Sequence, residues 1–255
     1  MTRTCGFVAG FLLVAAPLAA QEIRPWPERA FVTIDVPFQL LNNDFSESLR
    51  FADTIRKTEN VSFVTDYAST RGTLFDAGAG VRLTNEMGVG ATVSWFRRSA
   101  SGSFDLTVPN PVVANRPLDL TGSISGLRRT ELGIHIQTLY AVALGTRSRI
   151  MLSGGPSVFN VKQDLVRSIE FDMLPGFTSI RFDQALVADV SKTVVGFNAG
   201  ADLIWVLASH LGVSVVTRYS RAKATLDPGS QSGVNRAIEL HAGGLQIGGG
   251  IRLLF

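Results

Sequence analysis

The sequence predicts an all-β chain: an eight-stranded antiparallel transmembrane β-barrel, with short turns at one rim and long loops at the other. Three observations point there. After residue 30, apolar residues alternate with small or polar ones over eight separate segments, the period of two produced by a strand with chemically different faces. The connections between those segments alternate between short and long. The 255-residue chain is 45% hydrophobic with a mean hydropathy of +0.22, yet beyond its first residues no unbroken apolar run approaches the roughly 18–20 residues of a spanning helix. Its hydrophobicity is interleaved with polarity.

The first element is a leader. Arg3 supplies a positive start, Gly6 to Ala16 an apolar run, and Pro17, Leu18, Ala19 and Ala20 a small-residue cleavage region, so residues 1–20 are expected to be removed near Ala20/Gln21. An uncleaved anchor is disfavoured because an apolar run of about 11 residues is too short to span. Residues 21–29 then form a short periplasmic N-terminal segment, and 30–255 the barrel. Cys5 is the single cysteine and leaves with the leader; it precedes the apolar run, so it is not placed for lipid acylation. Disulfides, thiol catalysis and Cys-based metal sites are thereby excluded from the mature chain. A formal charge of +3 is no basic excess, and no nucleic-acid partner is expected.

The strands follow in order. Val32, Ile34, Val36 and Phe38 oppose Thr33, Asp35 and Gln39. Phe75, Ala77, Ala79 and Val81 oppose Asp76, Gly78, Gly80 and Arg82. Val89, Ala91, Val93 and Trp95 oppose Gly90, Thr92, Ser94 and Arg98. Leu132, Ile134, Ile136, Thr138, Tyr140 and Val142 oppose Glu131, Gly133, His135 and Gln137. Around Pro156, Ile150, Leu152 and Val158 oppose Ser153, Gly155 and Ser157, and the proline suggests a bulge or kink. Phe197, Ala199, Ala201, Leu203 and Trp205 oppose Asn198, Gly200, Asp202 and Ile204; Val213, Val215, Thr217 and Tyr219 oppose Ser214, Val216, Arg218 and Ser220. Last, Leu245, Ile247, Gly249, Ile251 and Leu253 oppose Gly244, Gln246, Gly248, Gly250 and Arg252.

Tight turns at Asn85–Gly88, Gly145–Ser148 and Ser209–Gly212 alternate with connections of about 30, 25, 28 and 12 residues, as in a barrel of even strand number with both termini on one side. The faces then decide between water and membrane. A soluble β-protein carries Lys, Glu and Thr on its solvent face; here the polar face is Gly, Ser, Ala and isolated charges. Small residues suit a narrow bore, and a sheet in hydrocarbon must close to pair every backbone group. A soluble periplasmic barrel is the rival, and membrane partition without detergent separates the two. Trp95, Tyr140, Trp205 and Tyr219 share the apolar phase and are expected at the membrane boundaries.

An alternating last strand ending in Phe255 resembles the signal by which assembly machinery recognises bacterial outer-membrane barrels. With "FDAGAGVRL", "GVGATVSWF", "GFNAGADLIWVLA" and "LQIGGGIRLLF", residues 27 to 255 resemble small outer-membrane β-barrel proteins of the broad group that includes OmpA, OmpX and OmpW. The resemblance implies residence in a Gram-negative-type outer membrane, with its lipid and the barrel assembly machinery as partners. It is specific for architecture and poor for activity, because that group holds structural barrels, porin-like pores, adhesins and lipid-modifying enzymes.

Lumen-phase ionisable residues are Asp35, Asp76, Arg82, Arg98, Arg129, Glu131, His135, Asp202, Arg218 and Arg252. Such charges are costly in a narrow bore unless paired, so a hydrogen-bonded ladder filling the interior is expected, against a water-filled path for small ions. Catalysis has little support. The histidines are His135, His210 and His241; His135 with Glu131 on one lumen face lacks a serine motif, His210 falls in a periplasmic turn and His241 in the lipid phase near the outer rim. No spacing resembles a metal-ligand set, and Gly243, Gly244 and Gly248 to Gly250 lack the helix start and lysine of a phosphate loop. No cofactor is expected. Asn42 to Tyr67, carrying Phe45, Phe51, Phe63 and Tyr67, suggests that the first two strands continue as a hairpin above the membrane, and Asp227, Pro228 and Gly229 mark a turn in the last outer loop. Such loops are the expected surface for an extracellular ligand that composition does not name.

The expected function is a structural or surface-interaction role with a side-chain-filled lumen. A narrow OmpW-like channel for small or apolar solutes is the alternative, and a lipid-modifying enzyme a distant third. Ile247→Arg, in the lipid phase, is predicted to cost about 2–4 kcal/mol and impair insertion, whereas Gln246→Ala, one residue away, is predicted to be mild. Chemical unfolding in lipid vesicles measures both, and equal outcomes mean that the two faces have been misread.

Overall fold

The computed structural model describes residues 26–40, 44–52, 60–67, 71–227 and 237–255; the leader with Cys5, and Pro228 and Gly229, lie outside them. Its described strands are β1 (Ala30–Gln39), β2 (Phe45–Ala52), β3 (Asn60–Tyr67), β4 (Gly72–Arg82), β5 (Met87–Val108), β6 (Leu118–Ala143), β7 (Ser148–Met173), β8 (Ile180–Ala208), β9 (Leu211–Leu226) and β10 (Ile238–Leu254). The eight predicted segments lie in β1 and in β4 to β10. These form an eight-membered antiparallel ring, β4 following β1 and each later strand its predecessor, closed where β10 pairs with β1. Closure leaves no strand edge in hydrocarbon.

The register fixes the tilt. From Ala30 the ladder runs through Val81, Val89, Thr138, Gly154, Ala199, Tyr219 and Leu245. It returns to β1 at Leu40, whose N–H donates to Leu245 O, ten residues further along than Ala30. Eight strands with that offset tilt by about 40° from the barrel axis. Pro156, which has no N–H, interrupts the β6–β7 ladder opposite Ile136 and Gln137 and leaves the register unchanged on either side.

The two faces are inverted relative to a soluble protein. Outward residues such as Ile34, Ile136, Val195 and Ile251 are exposed, while inward Asp35, Asp76, Gln137 and Arg252 are buried. Tyr140 and Trp205 point outward close to the short turns; Trp95 and Tyr219 point outward eight residues past the strand starts at Met87 and Leu211. Eight residues of tilted strand rise about 20 Å, close to the height of the apolar band of an outer-membrane barrel.

Beyond that band the long connections are largely strand. Spanning a bilayer takes about 9–11 residues per strand, yet β6 has 26 and β8 has 29, so their outer halves stand above the membrane. There the faces exchange character. On β5 the outward series Val89, Ala91, Val93, Trp95 continues as Arg97, Ser99, Ser101, Ser103 and Asp105, while the inward series turns from Gly88, Gly90, Thr92 and Ser94 to Phe96, Phe104, Leu106 and Val108. Water replaces lipid outside the wall, so oily side chains move inside. The expected hairpin is present: β2 pairs with β3, and β3 lies on the outer half of β5 from Tyr67↔Gly102 to Ser62↔Thr107, above the stretch of β5 that β4 covers. The outer part of the β7–β8 hairpin reaches this group, with Phe182 5.4 Å from Phe104 and the Val166 N–H donating to Tyr67 Oη at 2.9 Å.

Removing that acceptor breaks the bond that ties β3 to the buried β7 backbone. Tyr67→Phe is predicted to destabilise the extracellular half by about 1–2 kcal/mol, measured as faster amide exchange at Val166 and its strand neighbours, with exchange in the membrane half unchanged.

Candidate functional site

The bore is the candidate site, filled in three tiers. At the end of the short turns, residues 26–29 tuck into the mouth. The Trp26 ring is fully buried in a cluster with Phe31, Leu139, Ala141, Met151, Ile204 and Leu254, its carbonyl accepts Arg82 Nη1 at 2.6 Å, and Glu28 pairs with Arg149. Gly88 makes this seat: a Cβ there would collide with the indole. Neither Trp26, Glu28 nor Arg149 was legible as a site residue. The available signal was an aromatic and an acid just before the first strand, facing inward glycines on β4 and β5.

The middle tier is polar and divides by wall. On the β1, β4, β8, β9 and β10 side, Arg252 Nη2 donates to Asp202 Oδ2 at 2.7 Å and Arg218 Nη1 to Asp76 Oδ2 at 2.6 Å. Asp35, next to Asp76 across the β1–β4 ladder, accepts from Thr33 Oγ1 at 3.1 Å and Ser214 Oγ at 3.2 Å. The Arg252 guanidinium also sits 4.1 Å above the Phe31 ring, joining this tier to the apolar seat. On the β5 to β8 side the groups are neutral. His135 meets Ser94 Oγ at 2.5 Å and Ser157 Oγ at 2.8 Å; Gln137 bridges Thr92 and Asn198 at 3.1 and 3.0 Å.

Higher up, Arg129 Nε donates to Glu131 Oε1 at 2.6 Å, and both side chains cross the bore to β10. Glu131 Oε2 accepts the Gly243 N–H at 2.9 Å, and Arg129 Nη2 donates to His241 O at 2.5 Å. Gly243, at φ 81°, takes the left-handed turn that glycine tolerates. Above lies the third tier, an apolar cluster of Phe63, Tyr67, Phe104, Leu106, Leu127, Val161, Leu165, Ile180 and Leu240 among others.

Of the ionisable residues expected in the lumen, Asp35, Asp76, Arg129, Glu131, His135, Arg218 and Arg252 are buried there, and Asp202 is half-buried in its ion pair. Arg82 stands in the lower mouth on the Trp26 carbonyl. One expectation needs correction. Arg98 is exposed beside Gly72, between the last β4 pair, Leu74↔Phe96, and the first β3 pair, Tyr67↔Gly102. Glu131 is engaged by Arg129 and Gly243, and the His135 imidazole takes two serines from neighbouring strands. Of the other histidines, His210 contacts Ser209 in a short turn and His241 is exposed beside Arg221. Among the described residues, no three His, Cys, Asp or Glu side chains are grouped to hold a metal. The C-terminal Phe255 is exposed, its backbone tied to Arg29 and Ala30.

No protein-family model matches the chain, and a comparison with curated proteins finds no match. Among solved structures it is similar to the outer membrane protein OprG from Pseudomonas aeruginosa, at 10% identity over 91% of this chain and 98% of that one with a TM-score of 0.52. Neisserial surface protein A matches at 11% identity over 89% and 97% with a TM-score of 0.43. The outer membrane protease OmpT from Escherichia coli matches at 7% identity over 88% and 97% with a TM-score of 0.41. The chain has the fold of small outer-membrane barrels, and its exposed apolar belt fits that membrane.

Breaking one buried ion pair leaves its partner charged and alone. Arg218→Met is predicted to cost about 3–5 kcal/mol, and the double variant Asp76→Leu/Arg218→Met substantially less than the sum of the two single changes. Urea unfolding of the three variants in vesicles measures the coupling.

Proposed function

We propose that this outer-membrane barrel serves a structural or surface-interaction role, with a lumen closed by its own side chains, and that it performs no catalysis. The observation that carries the reading is the filling of one bore by three successive tiers: Trp26 and its neighbours below, the paired polar groups in the middle, and the apolar cluster above. Most charges inside this column are held in Arg–carboxylate pairs, with Asp35 held by the Thr33 and Ser214 hydroxyls, so an ion crossing it has to disturb these contacts. The outer halves of β5 to β8 then offer the surface for interaction, being polar outside and rigidly cored inside.

The His135 environment supports the non-catalytic part. Its ring is fully buried, and both ring nitrogens are taken by serine hydroxyls, so no carboxylate orients it and no path brings substrate to it. Phe255, closing the β1–β10 seam from an exposed position, supports its assignment as the assembly signal, with the assembly machinery and outer-membrane lipid as partners.

A narrow channel for small or apolar solutes is favoured by one observation. Among the described residues the outer part of β10, Ile238 to Gly244, pairs with β9 alone and β2 pairs with β3 alone, so a seam separates β2 from β10 beside the apolar upper interior. Planar-bilayer recording separates the readings. The closed-lumen proposal expects silence at high protein loading; discrete openings favour the channel. Altered phospholipid or lipid A in the presence of purified protein, abolished by His135→Ala, restores the enzyme.

A further inference from the structure

At the outer end of the barrel two hairpin tips carry apolar side chains that the core below does not use. The upper cluster already holds Val108, Leu118 and Ile180, all buried. Beyond them, in the β5–β6 connection (109–117), Val112 is 63% exposed and Val113 is exposed beside it; in the β7–β8 connection (174–179), Leu174 and Phe177 are exposed as well. Below the first tip the outward face of β5 is Ser99, Ser101, Ser103, Asp105 and Thr107, so the oily residues of this hairpin return only at its end. β7 and β8 are 26 and 29 residues long, of which roughly eight rise through the apolar band, so the tip stands on the order of 40 Å beyond it. The four apolar side chains are therefore clear of the bilayer that the barrel spans, in surroundings where a contiguous oily patch marks a binding surface.

The two tips are tied into one object. Asn110, itself buried, donates from Nδ2 to the Phe177 carbonyl at 2.8 Å and accepts the Val112 and Val113 N–H groups on Oδ1 at 2.9 and 3.0 Å. The Phe177 N–H donates to Leu174 O at 3.0 Å, and the Leu174 N–H to Ser179 O at 3.0 Å. Phe177 sits at φ 54°, a left-handed conformation that a bulky aromatic rarely adopts, and the Asn110 bond to its carbonyl holds it there. Each of the four exposed apolar residues thus has its N–H bonded within the tips, and Pro109, Pro111, Pro117 and Pro175 between them have none to satisfy. A protein partner does not demand this, because it brings donors and acceptors of its own; hydrocarbon does. Arg116 is exposed at the foot of the first tip, whereas Arg181 and Asp172 hold each other at 3.0 Å and Asp119 accepts the Thr107 hydroxyl at 2.8 Å.

We propose that the paired tips insert into the surface of a second bilayer, one that faces the membrane in which the barrel sits. Val112, Val113, Leu174 and Phe177 enter among its acyl chains, and the Arg116 guanidinium meets its headgroup phosphates. This rests on the surface-interaction reading above and names lipid as the partner. Shape favours lipid too: hairpin tips are convex, and a fluid bilayer yields to a convex apolar object where a protein must offer a matching groove. The exposed cation adds attraction for an anionic surface. One pair of tips buries only a few side chains, so a single contact is weak, and many barrels held in one membrane against another supply the strength together.

The test is flotation of the intact barrel, held in lipid nanodiscs, with separate acceptor vesicles of phosphatidylcholine with or without phosphatidylglycerol. Retained folding of each variant is checked by heat-dependent electrophoretic mobility. The expected result is co-flotation, stronger on the anionic vesicles, that falls about tenfold or more in Val112→Ser/Phe177→Ser and is kept in Val112→Leu/Phe177→Leu, while Arg116→Gln removes the preference for phosphatidylglycerol. In Phe177→Trp, brominated acyl chains confined to the acceptor vesicles quench the introduced ring, whereas Trp95 and Trp205, in the lipid of the nanodisc, are untouched. No flotation of the folded wild type, or flotation unchanged in folded Val112→Ser/Phe177→Ser, overturns the proposal. So does flotation that requires acceptor vesicles carrying the barrel themselves, or flotation without quenching in Phe177→Trp; these last two outcomes leave the surface-interaction reading standing with a protein as its partner, and the bilayer recordings test the closed lumen separately.

Discussion

The solvent outside this wall changes once along its length, and most of the structure follows from that change. In the membrane half the surroundings are hydrocarbon, so every backbone group must be paired within the sheet and the polar side chains have one place to go, the bore. Beyond the apolar belt the same strands reverse their chemistry, with bulges shifting the register at Ala100/Gly102 and Val166/Ser168. Phe96 and Phe104 point into the barrel where Thr92 and Ser94 did lower down, and Arg97 and Ser103 point out where Val93 did. One continuous sheet therefore serves as a membrane barrel below and as the shell of an ordinary hydrophobic core above.

That reversal also explains what the amino-acid sequence disclosed and what it withheld. The alternation of Leu132 to Val142 and of Leu245 to Leu253 locates the membrane segments, their faces and their order, because within hydrocarbon the oily phase never changes. At the membrane boundary the phase flips, and an alternating run looks as if it has ended. Strands consequently read as about ten residues where β6 and β8 go on for more than twice that length, and the outer halves read as loops. The hairpin of β2 and β3 stayed visible through Phe45, Phe63 and Tyr67, whose aromatic character no exposed loop requires. In the bore, residue types identified the buried charges but not their partners. Phase assigns a side chain to the inside; only the stagger of the ring decides that Arg218 meets Asp76 and that Glu131 passes His135 to reach β10. The Trp26 seat escaped altogether, since it is built from a segment outside the strand pattern and from glycines whose contribution is the side chain they lack.

Burial of so much charge in a narrow space is tolerable because it is divided. Four Arg–carboxylate pairs, Arg149–Glu28, Arg252–Asp202, Arg218–Asp76 and Arg129–Glu131, are spread over different levels of the bore, and between them His135, Gln137, Asn198 and serines are neutral groups that donate and accept without adding net charge. A desolvated ion with no partner costs several kcal/mol, and Asp35, which has no arginine of its own, accepts from the Thr33 and Ser214 hydroxyls. Exact pairing also links strands that share no ladder: Arg218 on β9 reaches β4, and Arg252 on β10 reaches β8. These contacts run across the ring, where backbone hydrogen bonds run only around it, and they resist the flattening to which a hollow eight-stranded cylinder is prone.

The Arg129–Glu131 pair has the further task of ending the ring. Among the described residues the last β1–β10 bond is Leu40 N–H to Leu245 O, and beyond it β10 pairs with β9 alone. An unpaired N–H or C=O at that depth is expensive, and water reaches it only partly. The left-handed turn at Gly243 swings the strand so that the Gly243 N–H and the His241 carbonyl meet Glu131 and Arg129 from across the bore, one charged acceptor for a donor and one charged donor for an acceptor. A neutral residue at position 131 or 129 satisfies at most one of these groups with lesser strength, so the charged pair is demanded by the point at which the sheet stops being closed. The same residues that fill the lumen thus also hold the backbone of β10 from across the bore.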